Sequence, residues 1–325
     1  MALACAILAA GSCTEKQEVT PEPDQVIRIP EKAYVLAEQA DTAIVILNAG
    51  TNVPVWEWTP ATAGLPKEQR EWFVNPSEVK PVFNGRYVLM TASGGAVALI
   101  RISDHKLMFY AKCGEFPNPH SAEILPDGNI VTAESRYGDI CLFVMDTVKV
   151  LGDPIRVTSL GNAHNAVWDR EHECLFMTGN DPDVAGPNRT AIFRFSYNGD
   201  RENPDLTDMK KVYTFENESG GHDLFPVYGE KNKLWLSAAS AVYTVDVTDP
   251  DSPVVEKACS LANIKSVSNG PDGTVMLKPT EEWWAEGLVN EKNELQFLLP
   301  GTKIYKGRWW LDNTFSYPEV HDFRY

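Results

Sequence analysis

Residues Pro119–Asp146, PHSAEILPDGNIVTAESRYGDICLFVMD, contain the pattern that decides the fold. A histidine begins a short apolar segment, a Pro-Asp-Gly-Asn turn follows it, and two runs typical of β-strands come next. Two other segments align with this unit, Ser77–Ala92 upstream and Lys265–Leu277 downstream. The unit is therefore a repeat, and each copy contains several short strands.

The residue that begins each copy recurs at a nearly constant interval. Ser77 lies 43 residues before His120, His164 lies 44 residues after it, and His222 lies 43 residues before Lys265. Loops rich in Asp, Asn, Pro and Gly explain the longer step of 58 residues between His164 and His222. A period in the low forties is typical of propeller blades, and 325 residues suit one ring. We predict an all-β fold, a single six-bladed β-propeller.

The two ends of the chain complete the ring in this interpretation. Residues 33–59 contain three strand-like runs that align with later blades, but no innermost strand precedes them. A strand near the C-terminus would supply it, so that N- and C-terminal strands pair and no sheet edge stays open. Arg308 lies 43 residues beyond Lys265 and is the predicted sixth equivalent position.

In a propeller the first strand of every blade lines the central channel, so equivalent positions meet at one mouth of it. Six residues are predicted at these equivalent positions: Ser77, His120, His164, His222, Lys265 and Arg308. The repeat predicts the first five, and the 43-residue interval after Lys265 predicts Arg308. Three of the six histidines of the chain fall in this set. The set is the predicted functional site.

Clustered imidazoles permit three interpretations. His120, His164 and His222 could bind a divalent transition metal through neutral ring nitrogens. They could also act as acid, base or nucleophile on a ligand whose anionic group Lys265 and Arg308 hold. Three nearby carboxylates could orient the imidazoles: Glu78, Glu123 and Asp223. The third interpretation is structural, with histidines that cap strand starts and bond to backbone.

Paired tryptophans near the C-terminus have two interpretations as well. Trp283, Trp284 and Trp309 could form an apolar platform for a sugar ring or another planar ligand. They could equally pack between blades. Trp56, Trp58, Trp168 and Trp235 alternate within strand-like runs and are predicted to lie in the core.

Charge excludes one class of partner, and the N-terminus predicts a location. Acidic residues outnumber basic ones by 45 to 29, and without a basic stripe we expect no nucleic acid partner.

Residues 1–12, MALACAILAAGS, form a short apolar run before Cys13, which resembles a signal peptide ending in the lipobox of bacterial lipoproteins. We predict an exported protein with a lipid on Cys13 as its sole membrane contact, a tether at 14–32 and the propeller at 33–325. The alternatives are an ordinary cleaved signal peptide and a cytoplasmic protein.

The lipobox-like start, the LPDGN turn at residues 125–129, the blade-initial His and the Arg-Trp-Trp segment at residues 308–310 resemble an uncharacterised family of exported propeller lipoproteins from gut Bacteroidetes. More distantly, the HS-x-x-x-LPDGN segment is similar to that of arylsulfate sulfotransferases. The placement of His120, His164 and His222 is similar to the metal-holding axial histidines of oligogalacturonate lyases. These distant resemblances concern the fold alone.

These observations lead to two function hypotheses. In the first, a small anionic or carbohydrate-derived ligand binds at the channel mouth, with metal-assisted lyase or hydrolase chemistry as one option. In the second, a non-catalytic scaffold uses its rim for a polysaccharide or a protein. We expect a monomer in both cases, and the sequence names neither substrate nor reaction.

Overall fold

The fold of the protein is seen in a computed structural model, which describes residues 27–115, 117–184 and 189–317. Six antiparallel sheets follow one another along these residues, and each sheet is one blade. The prediction of an all-β, six-bladed propeller is confirmed. Cys13 and the N-terminal apolar run lie outside the described residues. Within the described part, no helix has both the length and the apolar character to cross a bilayer.

Blades 1 to 3 have their strands as follows, from the channel outward. Blade 1 comprises β25 Ile304–Trp309, β1 Ala33–Glu38, β2 Ala43–Asn48 and β3 Val53–Trp58. Blade 2 comprises β4 Pro76–Val82, β5 Tyr87–Ala92, β6 Ala96–Arg101, β7 Leu107–Lys112 and the short parallel β11 Leu151–Gly152. Blade 3 comprises β8 Pro119–Ile124, β9 Ile130–Glu134, β10 Asp139–Phe143 and β12 Arg156–Ser159. One helical turn, α1 Lys67–Arg70, and a 3-10 turn, Glu71–Phe73, connect blades 1 and 2.

Blades 4 to 6 have four strands each. Blade 4 comprises β13 Asn165–Asp169, β14 Cys174–Asn180, β15 Thr190–Tyr197 and β16 Leu206–Thr214. Blade 5 comprises β17 Asp223–Pro226, β18 Lys233–Ser237, β19 Val242–Asp246 and β20 Val254–Cys259. Blade 6 comprises β21 Ser266–Gly270, β22 Gly273–Leu277, β23 Gly287–Val289 and β24 Leu295–Leu298.

The ring closes through the two ends of the chain. The last strand, β25, pairs antiparallel with β1, with Val35 opposite Arg308 and Leu36 opposite Gly307. The predicted closure is thereby confirmed. Every residue of β25 and β1 is buried, so an unpaired edge on either strand would leave backbone N–H and C=O groups unsatisfied in the interior. The pairing removes both edges.

The core consists of apolar clusters between neighbouring blades. Ile44 and Trp58 of blade 1 pack with Val88 of blade 2, for example, and Leu175 of blade 4 packs with Val131 of blade 3. Inner strands are buried on both faces, whereas β3 and β20 at the outside are largely exposed. The blades therefore hold one another, and their inner strands are fixed around the axis.

After β25 the chain crosses the end of the channel opposite to the blade starts. Phe315 packs into the cluster between blades 4 and 5, and Tyr317 packs into the cluster between blades 2 and 3. The Tyr317 hydroxyl accepts a hydrogen bond from the backbone N–H of Ile124, at 3.3 Å. The inner strands begin at the opposite end of the channel. We call that end the mouth.

Candidate functional site

Five side chains from five blades form a closed circle at the mouth. We call them the mouth ring, and they are His120, His164, His222, Lys265 and Tyr305. The imidazole centroids of His120 and His164 are 4.9 Å apart, and those of His164 and His222 are 5.1 Å apart. The repeat thus brings together four of the predicted site residues.

Hydrogen bonds complete the circle on its other side. Lys265 Nζ lies 2.9 Å from His222 Nε2 and 6.0 Å from the centroid of the Tyr305 ring. The Tyr305 hydroxyl lies 2.9 Å from His120 Nδ1. The mouth ring is therefore joined by two hydrogen bonds, two edge-to-face imidazole contacts and one contact of an amine with an aromatic face.

Two predicted members are placed differently. Arg308 is wholly buried, three residues further along β25, and Tyr305 occupies the sixth mouth position instead. The prediction for Arg308 was wrong because the last interval is shorter than the others: Tyr305 follows Lys265 by 40 residues. Ser77 does stand at the blade start, but it is buried, and its hydroxyl contacts Thr91 Oγ1 at 2.9 Å and donates to the carbonyl of Pro119. Neither side chain is open to a ligand at the mouth.

A network of ion pairs fills the axis beneath the mouth ring. We call it the axial ion network, and its members are the buried residues Glu78, Lys80, Glu123, Asp223, Lys306 and Arg308. Arg308 Nη2 lies 2.7 Å from both Glu78 Oε1 and Asp223 Oδ1. The three carboxylates that could have oriented the imidazoles pair with cations of the network.

The network sets the protonation of its members. Burial alone would raise the pKa of Glu78, but the positive charges of Arg308, Lys306 and Lys80 hold it to about 2. Glu123 differs, since burial outweighs Lys80 and raises its pKa. Three cations face three carboxyl groups, so the network is close to neutral. Lys80 and Lys306 were missed from sequence because strand periodicity treats inward residues of a β-run as apolar.

Burial also keeps the imidazoles neutral. It lowers the pKa of His164 to about 4 and those of His120 and His222 well below the usual range, with nearby lysines adding to the effect. Burial and the charge of Lys306 lower the pKa of Lys265 to about 8. Burial raises the pKa of Tyr305, so its hydroxyl stays protonated.

The predicted metal site at His120, His164 and His222 does not fit this arrangement. The described residues include no group of three or more His, Cys, Asp or Glu side chains placed to hold a metal ion. Two of the ring nitrogens already have other partners: His164 Nδ1 faces the carbonyl of Asn162 at 3.0 Å, and His222 Nε2 faces Lys265. The chemistry of the ring is therefore that of an amine, a phenol and neutral imidazoles.

The tryptophans divide between core and rim. Trp309, predicted as a ligand contact, is buried in the core: its ring lies tilted against Tyr34 with the centroids 4.4 Å apart, and its indole N–H donates to the carbonyl of Gly273. Trp283 is 44% exposed and donates to Gln39 Oε1, while Lys303 lies over the ring of Trp284. Gln39 and Lys303 both lie at the mouth end of blade 1, so an exposed indole stands on the same face as the mouth ring.

The comparisons with known proteins concern the family and the fold. The sequence profile of the family of unknown function DUF6528 matches residues 1–325. A search of curated proteins found no match. A protein of unknown function from Bacteroides caccae is 13% identical, with a TM-score of 0.53 over 86% of this chain and 98% of its own.

Two further solved structures have similar scores. One is a nidogen/laminin complex, 11% identical with a TM-score of 0.55 over 86% of this chain and 98% of its own. The other is a functionally unknown protein from Desulfotomaculum acetoxidans, 12% identical with a TM-score of 0.53 over 85% of this chain and 80% of its own. At these identities the likeness shows the fold alone. The resemblance to an uncharacterised propeller family is confirmed, and the likeness to sulfotransferases and lyases stays a prediction.

Proposed function

Since the chain belongs to DUF6528, a family of unknown function, we propose its function from the mouth ring: the protein binds a small anionic or carbohydrate-derived molecule there. The observation that carries the proposal is the charge of Lys265. Its amine has an imidazole as its neighbour and no carboxylate partner among the described residues. Lys80 and Lys306 beneath it are each paired with glutamate. An anion at the mouth would supply the missing partner.

The imidazoles suit a ligand that also carries hydroxyl groups. The carbonyl oxygen of Asn162 can only accept, so His164 Nδ1 carries the hydrogen and Nε2 is left as an acceptor. A sugar acid combines a carboxylate for Lys265 with hydroxyls that donate to such a nitrogen. Trp283 on the same face offers a surface for the apolar side of a sugar ring.

The test is titration calorimetry with a panel of sugar acids and the corresponding neutral sugars. We expect sugar acids alone to bind, and Lys265→Met to weaken them at least about tenfold, which is ~1.4 kcal/mol. Lys303→Met is the matched control, because Lys303 lies at the same end and contacts Trp284. Equal affinity of the parent and Lys265→Met would refute the proposal.

One observation favours a second candidate, a non-catalytic scaffold that binds a polysaccharide through its rim. His164 is 6% exposed and bonds to backbone, while Trp283 is 44% exposed. A Trp283→Ala variant that loses polysaccharide binding, alongside a Lys265→Met variant that retains it, would favour the scaffold over the mouth site.

We also propose that the protein is exported and carries a lipid on Cys13, as the apolar N-terminal run suggests. Metabolic labelling with a fatty-acid analogue should then mark the full chain and leave Cys13→Ser unlabelled. Equal labelling of both, or labelling of neither, would contradict the anchor.

A further inference from the structure

Three lysines lie around the axis, Lys80 and Lys306 within inner strands and Lys265 just before β21, and Lys265 has a different environment. Lys80 lies 3.3 Å from Glu123 Oε2, and Lys306 lies 3.0 Å from Glu78 Oε2. Both are wholly buried ammonium groups held by carboxylates. Lys265 is half-buried at the mouth, and its amine meets His222 and the face of Tyr305. It is the axial lysine that a ligand at the mouth could touch.

The contact with His222 is suited to moving a proton. Two hydrogen-bonded nitrogens at 2.9 Å require one donor and one acceptor, so an ammonium at Lys265 pairs with an unprotonated Nε2. The second nitrogen, Nδ1, is buried without a hydrogen bond to the described residues. His222 is thus a neutral imidazole aimed at the amine, and it can take up and return a proton there.

The neighbouring groups favour the uncharged amine. His164 and Tyr305 contribute no negative charge, and Lys306 adds a positive charge that repels an ammonium. With its pKa lowered to about 8, roughly one amine in ten is neutral at pH 7, against about one in several thousand for an ordinary lysine. A neutral amine next to a base is the arrangement of a nitrogen nucleophile.

We propose that Lys265 captures aldehydes or ketones that also carry a carboxylate, as a reversible imine. This deepens the proposed function, on which it rests, by naming the ligand class: 2-oxo acids and open-chain sugar acids with a carbonyl group. No cofactor is required for the step.

The step consumes one proton from solvent. The Lys265 nitrogen lone pair forms a bond to the carbonyl carbon, and the carbonyl π pair moves to oxygen, which takes that proton. His222 Nε2 accepts a proton from the nitrogen and delivers it to the hydroxyl, which leaves as water. One carbonyl, one amine and one proton give one protonated imine and one water. The imine keeps the positive charge beside the carboxylate of the ligand, so the product retains the ion pair that binds it.

The experiment is reductive trapping on the full-length protein with glyoxylate, which has both an aldehyde and a carboxylate. Cyanoborohydride adds hydride to the imine carbon and fixes the product as a secondary amine, which peptide mass spectrometry locates. We expect Lys265 to be modified at least about tenfold faster than Lys303, because His222 Nε2 stands beside the amine of Lys265 and can relay the proton. His222→Gln should slow trapping at Lys265, and acetaldehyde, without a carboxylate, should react more slowly than glyoxylate.

Two variants and a carbonyl-free anion separate the imine from simple anion binding. Lys265→Arg keeps the charge but cannot form the imine, so it should lose trapping at residue 265. Acetate has no aldehyde or ketone group, so its binding to the parent reports the anion site separately. Lys303→Arg should behave as the parent in both assays. Circular dichroism melting identifies any variant that has lost its fold.

The outcomes separate the imine proposal from the proposed anion site. Trapping at Lys265 no faster than at Lys303 would refute the imine, and if acetate still binds, the anion site stands. Trapping at Lys265 with equal rates for glyoxylate and acetaldehyde would support the amine chemistry and refute the anionic ligand class. Absence of both acetate binding and trapping would refute both.

Discussion

Two neighbouring residues of the closing strand, Tyr305 and Lys306, show how one step along an inner strand changes the surroundings of a side chain. Tyr305 belongs to the mouth ring and bonds to His120. Lys306 is wholly buried in the axial ion network, 3.0 Å from Glu78. Residues of the mouth ring would contact the proposed ligand, whereas residues of the axial ion network pair with charges from other blades.

The positions of the mouth ring could be predicted from sequence wherever the repeat was regular. His120, His164, His222 and Lys265 were found because a constant interval in sequence becomes a shared position in a ring. Tyr305 was missed because no turn of the Pro-Asp-Gly type follows it, so an assumed interval was used instead. Pairings such as Arg308 with Asp223 could not be predicted, since a sequence does not show which buried charges face each other across an axis.

At this scale we predict that His164 makes stability depend on pH. Burial and the charges of Lys306 and Lys265 lower its pKa to about 4, against the hydrogen bond to Asn162, while an unfolded imidazole keeps its usual 6.5. Between pH 6.5 and 4 the imidazole is therefore protonated in the unfolded chain and neutral in the folded protein. This contribution, of about 3 kcal/mol, is full above pH 6.5 and is lost as the pH falls toward 4.

Urea unfolding of the parent and of His164→Gln between pH 7.5 and 4 measures this effect. Terms from carboxylates are common to both proteins, so their difference isolates the imidazole. The stability of the parent should fall more steeply on acidification than that of the variant. Parallel curves would show that His164 does not remain neutral in the folded state.

At the scale of elements, β25 contributes side chains to three different parts of the molecule. Its first residues contribute Tyr305 to the mouth ring, its middle contributes Lys306 and Arg308 to the axis, and its end places Trp309 in the core. Sequence patterns predicted a closing strand in this region from the missing innermost strand of blade 1. They did not distinguish the buried Trp309 from the exposed Trp283, because an aromatic pair has the same pattern in a core and on a rim.

The two tryptophans should therefore respond differently to the same change. Trp309→Ala removes a buried indole packed on Tyr34 and Phe297 and should lower the free energy of unfolding by about 3–5 kcal/mol. Trp283→Ala should change it by less than about 1 kcal/mol, since nearly half of that residue is exposed. Thermal melting measures both effects. Equal losses would place Trp283 in the core as well.

For the whole molecule, closure depends on two sets of contacts with opposite chemistry. Apolar clusters join each blade to its neighbours around the ring. The axial ion network joins blades 1, 2 and 5 across it through Arg308, Glu78 and Asp223. The period of the repeat predicted the first set, because one unit cannot bury its apolar faces alone. Buried ion pairs add little net stability by themselves, so we expect the second set to specify the register in which the ring closes.

Removal of one partner from the network should then cost more than removal of a pair. Arg308→Met leaves the carboxylates of Glu78 and Asp223 buried without their main cation, and we expect a loss of about 3–5 kcal/mol in urea unfolding. Adding Asp223→Leu to that variant should restore part of the loss, since one of the two carboxylates is then gone and Glu78 still pairs with Lys306. Arg101→Met removes the exposed pair with Asp104 and should cost at most about 1 kcal/mol. If the double variant is as unstable as the sum of its single changes, the two charges act independently and the network does not couple the blades.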